Sequence, residues 1–300
     1  VTLFSSPTFP TNQLANGILQ KDFDELLLSE EKPFFNRALK GRYPPASAIK
    51  PAIAMYGIEE GLIDWNFSIF DEGFFTLPED GRIYRDWKEG GHGKTNLFKA
   101  ITQSSNTYFF DLAYRSDINQ LNKHLFSLGF GDKACIDCFE EDKVFVPEPS
   151  WKMNKHNFGW FKGDTVNMGV GQGYLVSTPV QLAKYAYIMA NKGKFSDLSL
   201  KKDLVKSEKS IEFNKFSNDD WFKLHESMIN VVEGNTGTAR RLREKKNYIV
   251  AAKTGTAELV SGDNREQYSE TRLDDNLRDH ALIIAFGSMP NPRYAVSVVV

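Results

Sequence analysis

Three short motifs, far apart along the chain, each demand a different backbone and one common destination. Ser47-Ala48-Ile49-Lys50, Ser104-Ser105-Asn106 and Lys253-Thr254-Gly255 lie 57 positions (47 to 104) and then 149 positions (104 to 253) apart. The first offers a hydroxyl with an amine one helical turn away. The second offers a hydroxyl and an amide. The third sets a cation, a hydroxyl and a glycine at the end of an apolar run, where the glycine lets a strand lie close to a substrate backbone. A serine hydroxyl is a weak nucleophile until a base takes its proton, and Ser-x-x-Lys supplies lysine for that work. Lysine ordinarily titrates near ~10.4, so burial or a nearby cation must lower it; Lys253 is the candidate cation. N–H groups at a helix start beside Ser47 favour an oxyanion. A fold that uses all three motifs must bring a helix start, a helix-linking loop and a strand to one point.

Each motif also has an ordinary reading. Ser47 can cap a helix with Lys50 solvated, Ser104 to Asn106 can link two helices, and Gly255 can end a strand. Their joint occurrence in this order favours a reaction site, as does the rigid approach Tyr43-Pro44-Pro45-Ala46. Gly169 to Gly173 has the glycine density of a phosphate loop but lacks its Lys-Ser/Thr. It reads as a conformational glycine loop.

Periodicity sets the coarse layout. Val1 to Ser5 reads as a strand and Phe23 to Leu28 as helical. Ile49 to Leu62 reads as a helix with Pro51 in its first turn and Gly61 near its end. Residues 63–94 read as loops with short strands. Further helices are expected from Thr95-Asn96 to Ser104, through Tyr108 to Ala113, across 118–128, from Thr178-Pro179 onward, and from Asp219 to Glu233 with Gly234 as stop. The charged stretch 194–220 reads as a surface segment. Ile249–Lys253, Ala281–Phe286 and Tyr294–Val300 read as strands, the last two joined as a hairpin through Ser288 to Arg293. An α+β chain follows: an antiparallel sheet completed by both termini (1–46 and 246–300) and a mostly helical lobe (47–245).

Hydrophobic residues at 41% and charged residues at 25% describe an ordinary globular chain with ample core. A net charge of −2 with no long basic run argues against nucleic acid as main partner. No stretch approaches the ~20 apolar residues that span a bilayer. Both ends fall inside apparent strands, so the chain reads as a fragment of 1–300, soluble by itself, without the anchor of a longer protein. Cys135 and Cys138 form a CxxC with no second pair and no thioredoxin-like context. They read as two ordinary thiols or a local disulfide.

The chain resembles the transpeptidase domain of class B penicillin-binding proteins, most of all their elongation-specific Gram-negative group, penicillin-binding protein 2. The likeness runs from end to end. Beside the three motifs it rests on Tyr43-Pro44-Pro45-Ala46-Ser47, Arg85-Asp86-Trp87-Lys88, Gly91-His92-Gly93, Gly163-Asp164-Thr165, Gly169-Val170-Gly171-Gln172-Gly173-Tyr174 and Ala252-Lys253-Thr254-Gly255-Thr256-Ala257. The resemblance implies the penicillin-binding/serine β-lactamase-like fold, with an antiparallel sheet flanked by helices. It implies a peptidoglycan D,D-transpeptidase, with D,D-carboxypeptidase as a side activity. Ser47 would attack the carbonyl between the two terminal D-alanines of a stem peptide, with Lys50 as base. Ser104 would pass a proton to the leaving D-alanine, with Lys253 or Lys50 nearby. Asn106 would bond the substrate backbone; Lys253, Thr254 and Thr256, with Gly255 between, would hold the terminal carboxylate. The N–H groups of Ser47 and Thr256 would form an oxyanion hole, worth ~3–4 kcal/mol per donor in comparable sites. A neighbouring stem peptide's amine would resolve the acyl-enzyme, and a β-lactam would arrest it as a slow ester. Implied partners are D-Ala-D-Ala stem peptides, β-lactams and a lipid-linked glycan polymerase of the elongation machinery. The implied location of the full-length protein is the periplasmic face of the inner membrane.

Two departures stand out. Ala46 occupies a position that is usually glycine in the family. The penicillin-binding protein 2 group can hold Zn2+ with two aspartates, a histidine and a cysteine; Asp71, Asp86 and His92 match three of these, but Ser105 stands at the cysteine position. A serine hydroxyl is a poor zinc ligand, and the reaction itself requires no cofactor. The alternative is an ion-pair and hydrogen-bond network of Asp71, Arg85, Asp86 and His92. Two other functions compete: a serine β-lactamase, for which no dedicated glutamate motif is evident, and a non-catalytic β-lactam-binding sensor or scaffold.

Overall fold

The computed structural model describes residues 1–204, 208–245, 247–257 and 279–300; readings that fall on the remaining positions of 194–220 and 246–300 lie outside the described residues. Helices α1 (Thr11–Asn16), α2 (Gln20–Leu28) and α3 (Arg37–Lys40) lead to a 3₁₀ turn, Ala46–Ile49, and to α4 (Lys50–Glu59). Lys50 to Ile58 are all buried. Apolar side chains surround the α4 axis instead of forming a stripe, which is the pattern of a core helix. Pro51 sits in its first turn, where the missing N–H leaves no bond unmade.

Four short strands follow as two antiparallel pairs: β1 (Ser68–Asp71) with β4 (Gly93–Asn96), and β2 (Phe74–Thr76) with β3 (Ile83–Arg85). Helices α5 (Leu97–Gln103) and α6 (Asn106–Arg115) come next, each with a side-chain cap. Asn96 accepts from Lys99 N at 3.0 Å, and Ser105 accepts from Tyr108 N at 3.2 Å. After α7 (Ile118–Ser127) come α8 (Pro149–His156), α9 (Lys162–Met168) and α10 (Pro179–Ala190). Thr178 and Gln181 close a capping box at the start of α10.

The remaining elements are β5 (Lys194–Phe195), β6 (Lys209–Ser210), α11 (Asn218–Glu233), β7 (Val250–Ala257), β8 (His280–Gly287) and β9 (Tyr294–Val299). The last three make an antiparallel sheet in the order β7-β8-β9, with Lys253 opposite Ile284 and Gly255 opposite Leu282. Strand alternation divides its faces. Ala251, Ala257, Leu282, Ile284 and Phe286 enter the main core with α4, α5 and α10, while Ala252 and Ala285 pack on Val231 and Val232 of α11. Lys253 is in phase with the core-facing set.

Two sequence expectations need correction. Val1 to Ser5 forms no strand, so among the described residues the sheet is built from the C-terminal part alone. Pro7 and Pro10, just after it, cannot extend a ladder, and Val1 N donates to Ser199 O at 2.6 Å. The 194–220 stretch is not simply surface: β5 pairs with β6, Phe216 is buried, and Phe195, Ile211 and Phe213 pack on the core. Cys135 and Cys138 are joined as a buried disulfide.

Candidate active site

The 3₁₀ turn places Ser47 at the head of the buried helix α4. Its side chain is half-buried and makes no hydrogen bond among the described residues. Ala46 before it has φ +46°, the left-handed region, which explains the glycine expected there. The turn is braced by the 169–173 glycine loop: Ala46 N donates to Gly171 O at 2.8 Å. Gly171 itself has φ +72°, and a Cβ there would lie 2.2 Å from Ala46 O. Gly255 serves the same turn. A Cβ on it would lie 2.7 Å from Leu282 Cδ1 and 3.2 Å from Ala48 N. Its missing side chain makes room for Leu282 and for the first motif.

Lys50 does not bond Ser47; it reaches across to the second motif. Its Nζ donates to Ser104 O at 2.8 Å, to Ser104 Oγ at 3.3 Å and to Asn106 Oδ1 at 2.7 Å. Lys253 Nζ arrives from β7 and donates to Ser104 Oγ at 2.8 Å and Thr254 O at 3.0 Å. Both lysines are fully buried. Burial pushes Lys50 down to about 7, against the opposing pull of the Asp86 and Asp71 carboxylates. Lys253 is also pushed well down, first by burial and then by the Lys50 charge. Of the two expected causes, burial lowers Lys50, and the like charge acts on Lys253, which the Lys50 ammonium pushes further down.

Thr254 is half-buried and its hydroxyl shares a 2.6 Å bond with that of Thr238. Thr256 is exposed, its side chain makes no hydrogen bond among the described residues, and its carbonyl accepts Gln172 Nε2 at 3.2 Å. That bond ties the glycine loop to β7.

Behind the second motif lie the three other predicted residues. Asp71, Asp86 and His92 are buried, with ligand-type atoms within 4.8 Å of one another. Asp71 accepts Ser105 Oγ at 2.7 Å and Gly73 N at 2.9 Å. Asp86 Oδ2 accepts Asn106 N at 2.6 Å and Thr107 N at 2.9 Å, while Oδ1 accepts Lys88 N at 3.1 Å and faces His92 Nε2 at 3.2 Å. These bonds hold the Asp86 carboxyl at about 2, despite burial that opposes ionisation.

Residues 1–300 match the family of the penicillin binding protein transpeptidase domain. The chain belongs to that family. It is 38% identical over 308 residues to the peptidoglycan D,D-transpeptidase MrdA of Acinetobacter baumannii, covering 100% of this chain and 45% of that protein. It is 33% identical to a Pseudomonas aeruginosa PBP2 structure in complex with WCK 5153, with TM-score 0.86, covering 99% of this chain and 62% of that one. A Helicobacter pylori PBP2 in complex with MreC is 29% identical, with TM-score 0.86, covering 99% of this chain and 52% of that one. The chain spans about half the length of the curated relatives it matches. The fold is the family's α+β transpeptidase fold, an antiparallel sheet with helices.

The serine transpeptidase family needs no cofactor, and the zinc reading does not fit these residues. Both Asp71 oxygens and both Asp86 oxygens accept protein donors, so neither carboxylate needs an ion to be satisfied. The Ser105 hydroxyl donates to Asp71 and accepts from Tyr108 N, and serine does not ionise to become a fourth ligand near neutral pH. Arg85, expected in the alternative network, is exposed and takes no part in it.

Sequence reasoning passed over Trp87, Gln172 and Thr238 as individual site residues. Trp87 Nε1 donates to Ser104 O at 3.1 Å. Trp87 and Gln172 stood inside recognised strings; nothing local to Thr238 marks it.

Proposed function

We propose that the chain carries the peptidoglycan D,D-transpeptidase reaction on stem peptides ending in D-Ala-D-Ala, with Ser47 as nucleophile. The observation that carries this reading is the meeting of two buried lysines on Ser104, one of them lowered to about 7, beside a serine at a helix start. Neutral Lys50 takes the Ser47 proton as Oγ attacks the penultimate D-alanine carbonyl. The N–H groups of Ser47 and Thr256 receive the oxyanion. The C–N bond breaks and Ser104 gives its proton to the leaving D-alanine. Lys50 or Lys253, both bonded to Ser104 Oγ, replaces that proton. The terminal carboxylate rests on Lys253, Thr254 and Thr256, and its charge returns a proton to Lys253. Asn106 bonds the substrate backbone. An amine of a second stem peptide then attacks the ester to form the cross-link, and a β-lactam enters at the first step only. No step passes through a metal.

In the whole protein we place this domain at the periplasmic face of the inner membrane, with a lipid-linked glycan polymerase of the elongation machinery. This placement follows from the family resemblance; the relatives' name, peptidoglycan D,D-transpeptidase, supports a cell-wall role, and the Helicobacter pylori PBP2 complex with MreC supports a protein partner. Among the described residues no helix is long and apolar enough to cross a membrane.

Intact mass spectrometry after benzylpenicillin tests the reading. One covalent adduct on Ser47 is expected, and none in Ser47→Ala. Folded protein without an adduct would sink it. Rapid multiple turnover of nitrocefin would favour a β-lactamase, and acylation without D-alanine release from a stem-peptide mimic would favour a sensor.

A further inference from the structure

Ser104 stands in a backbone conformation that it would not keep alone. Its φ of +60° and ψ of 37° lie in the left-handed region, where a side chain is crowded. Such a residue persists only where its surroundings over-determine it. Besides the two lysines, the ties come from residues outside the three motifs and from Ser105. Trp87 Nε1 fixes the Ser104 carbonyl that also receives Lys50. Ser105 Oγ is tied to Asp71. The Asp86 carboxylate gathers the first two N–H groups of α6, an anion at a helix start. His92 bridges Asp86 to α5, with Nε2 3.2 Å from Asp86 Oδ1 and Nδ1 3.0 Å from Gln103 Oε1. Of these five residues only Trp87 is exposed, and its ring lies 5.5 Å from that of His92.

We propose that Asp71, Asp86, Trp87, His92 and Ser105 form a metal-free bracket that positions the second motif, with the Ser105 hydroxyl proton in place of a metal–ligand bond. The inference rests on the proposed role of Ser104 and Asn106. All five act through that motif as positioning residues. The bracket presets where Lys50 and Lys253 meet, because both end on Ser104. Each carboxylate oxygen in it is matched by a protein donor, so the unit is complete without an ion. Ser105 is what excludes the ion: a cysteine there would complete a four-ligand zinc set with Asp71, Asp86 and His92.

The test measures zinc content, thermal melting, and the acylation rate constant and dissociation constant for a fluorescent penicillin, all on the purified protein. The unaltered protein should retain no zinc after dialysis from zinc-containing buffer, and a chelator should leave acylation and melting unchanged. Trp87→Phe keeps a ring and removes the N–H. It should lower the acylation rate constant about tenfold, the worth of one well-placed hydrogen bond, with dissociation constant and melting unchanged. Ser105→Cys should take up one zinc per chain. Stoichiometric zinc in the unaltered protein, or acylation lost to a chelator, overturns the metal-free bracket. Failure of Ser105→Cys to bind zinc overturns the exclusion by Ser105, and an unchanged rate constant in Trp87→Phe overturns the positioning role. Unaltered folded protein that never acylates would instead defeat the proposed reaction, which is read first.

Discussion

The turn before Ser47 and the loop at Ser104 solve one problem in two ways. Both hold a non-glycine residue in the left-handed region, Ala46 at φ +46° and Ser104 at φ +60°. The first is held by close packing: Gly171 lets backbone meet backbone at Ala46, and Gly255 leaves room for Leu282 and Ala48 beside the head of the buried helix. The second is held by polar bonds to Asp86, Trp87 and the Asp71–Ser105 pair. Packing is indifferent to pH, whereas a bracket of carboxylates is not. The two halves of the site should therefore fail differently.

Gly171→Ala should have the largest effect. Its Cβ would meet Ala46 O at 2.2 Å on a backbone at φ +72°, and a loss of about 3 kcal/mol is expected in urea unfolding, with no midpoint change in the pH profile of acylation. Asp86→Asn should instead change the pH response. The folded Asp86 carboxyl lies at about 2, below its ordinary 3.8, so between those values the unfolded chain binds more protons. The stability from the ionised Asp86 carboxyl is present above pH ~4 and lost as pH falls through ~2, a difference of about 2 kcal/mol at most. Unfolding at several acidic pH values should show this slope in the unaltered protein and not in Asp86→Asn.

Acylation should rise with pH through about 7 as Lys50 loses its proton. In Asp86→Asn the midpoint should move to lower pH, because the carboxylate that supports the Lys50 ammonium is gone. An unmoved midpoint would separate the bracket from the base electrostatically. Burial of Lys50 also carries a stability signature: its folded value lies below 10.5, so stability should rise as pH climbs from about 7 toward that value. The smallest effect belongs to Ala46→Gly. Relief of the left-handed strain, offset by the added freedom of the unfolded chain, should leave a gain of about 0.5–1 kcal/mol in thermal or urea unfolding.

Much of this architecture could be read locally. The apolar run behind Lys50, the Thr178-Pro179 helix start and the three C-terminal strands are short-range patterns, and the structure contains them. Helices α8 and α9 escaped because each is short and rich in aromatic, glycine or charged residues with weak period. Val1 to Ser5 misled because apolar residues in sequence do not supply a partner strand. Phe213 and Phe216 were hidden in a charged stretch whose aromatic minority does the packing.

By itself the sequence determined which groups were on offer: a hydroxyl and amine one turn apart, a hydroxyl with an amide, and a lysine in an apolar strand. It also determined the local backbones that carry them, since helix starts, caps and strand alternation depend on neighbours a few positions away. Only the tertiary structure decided that Lys50 leans on Ser104 instead of Ser47, that Gly255 makes room for Ala48, and that Ser105 ties to Asp71. It also decided the protonation of the lysines. A pKa and a close approach are set by burial and by charges distant in sequence, which appear only once the chain has closed around them.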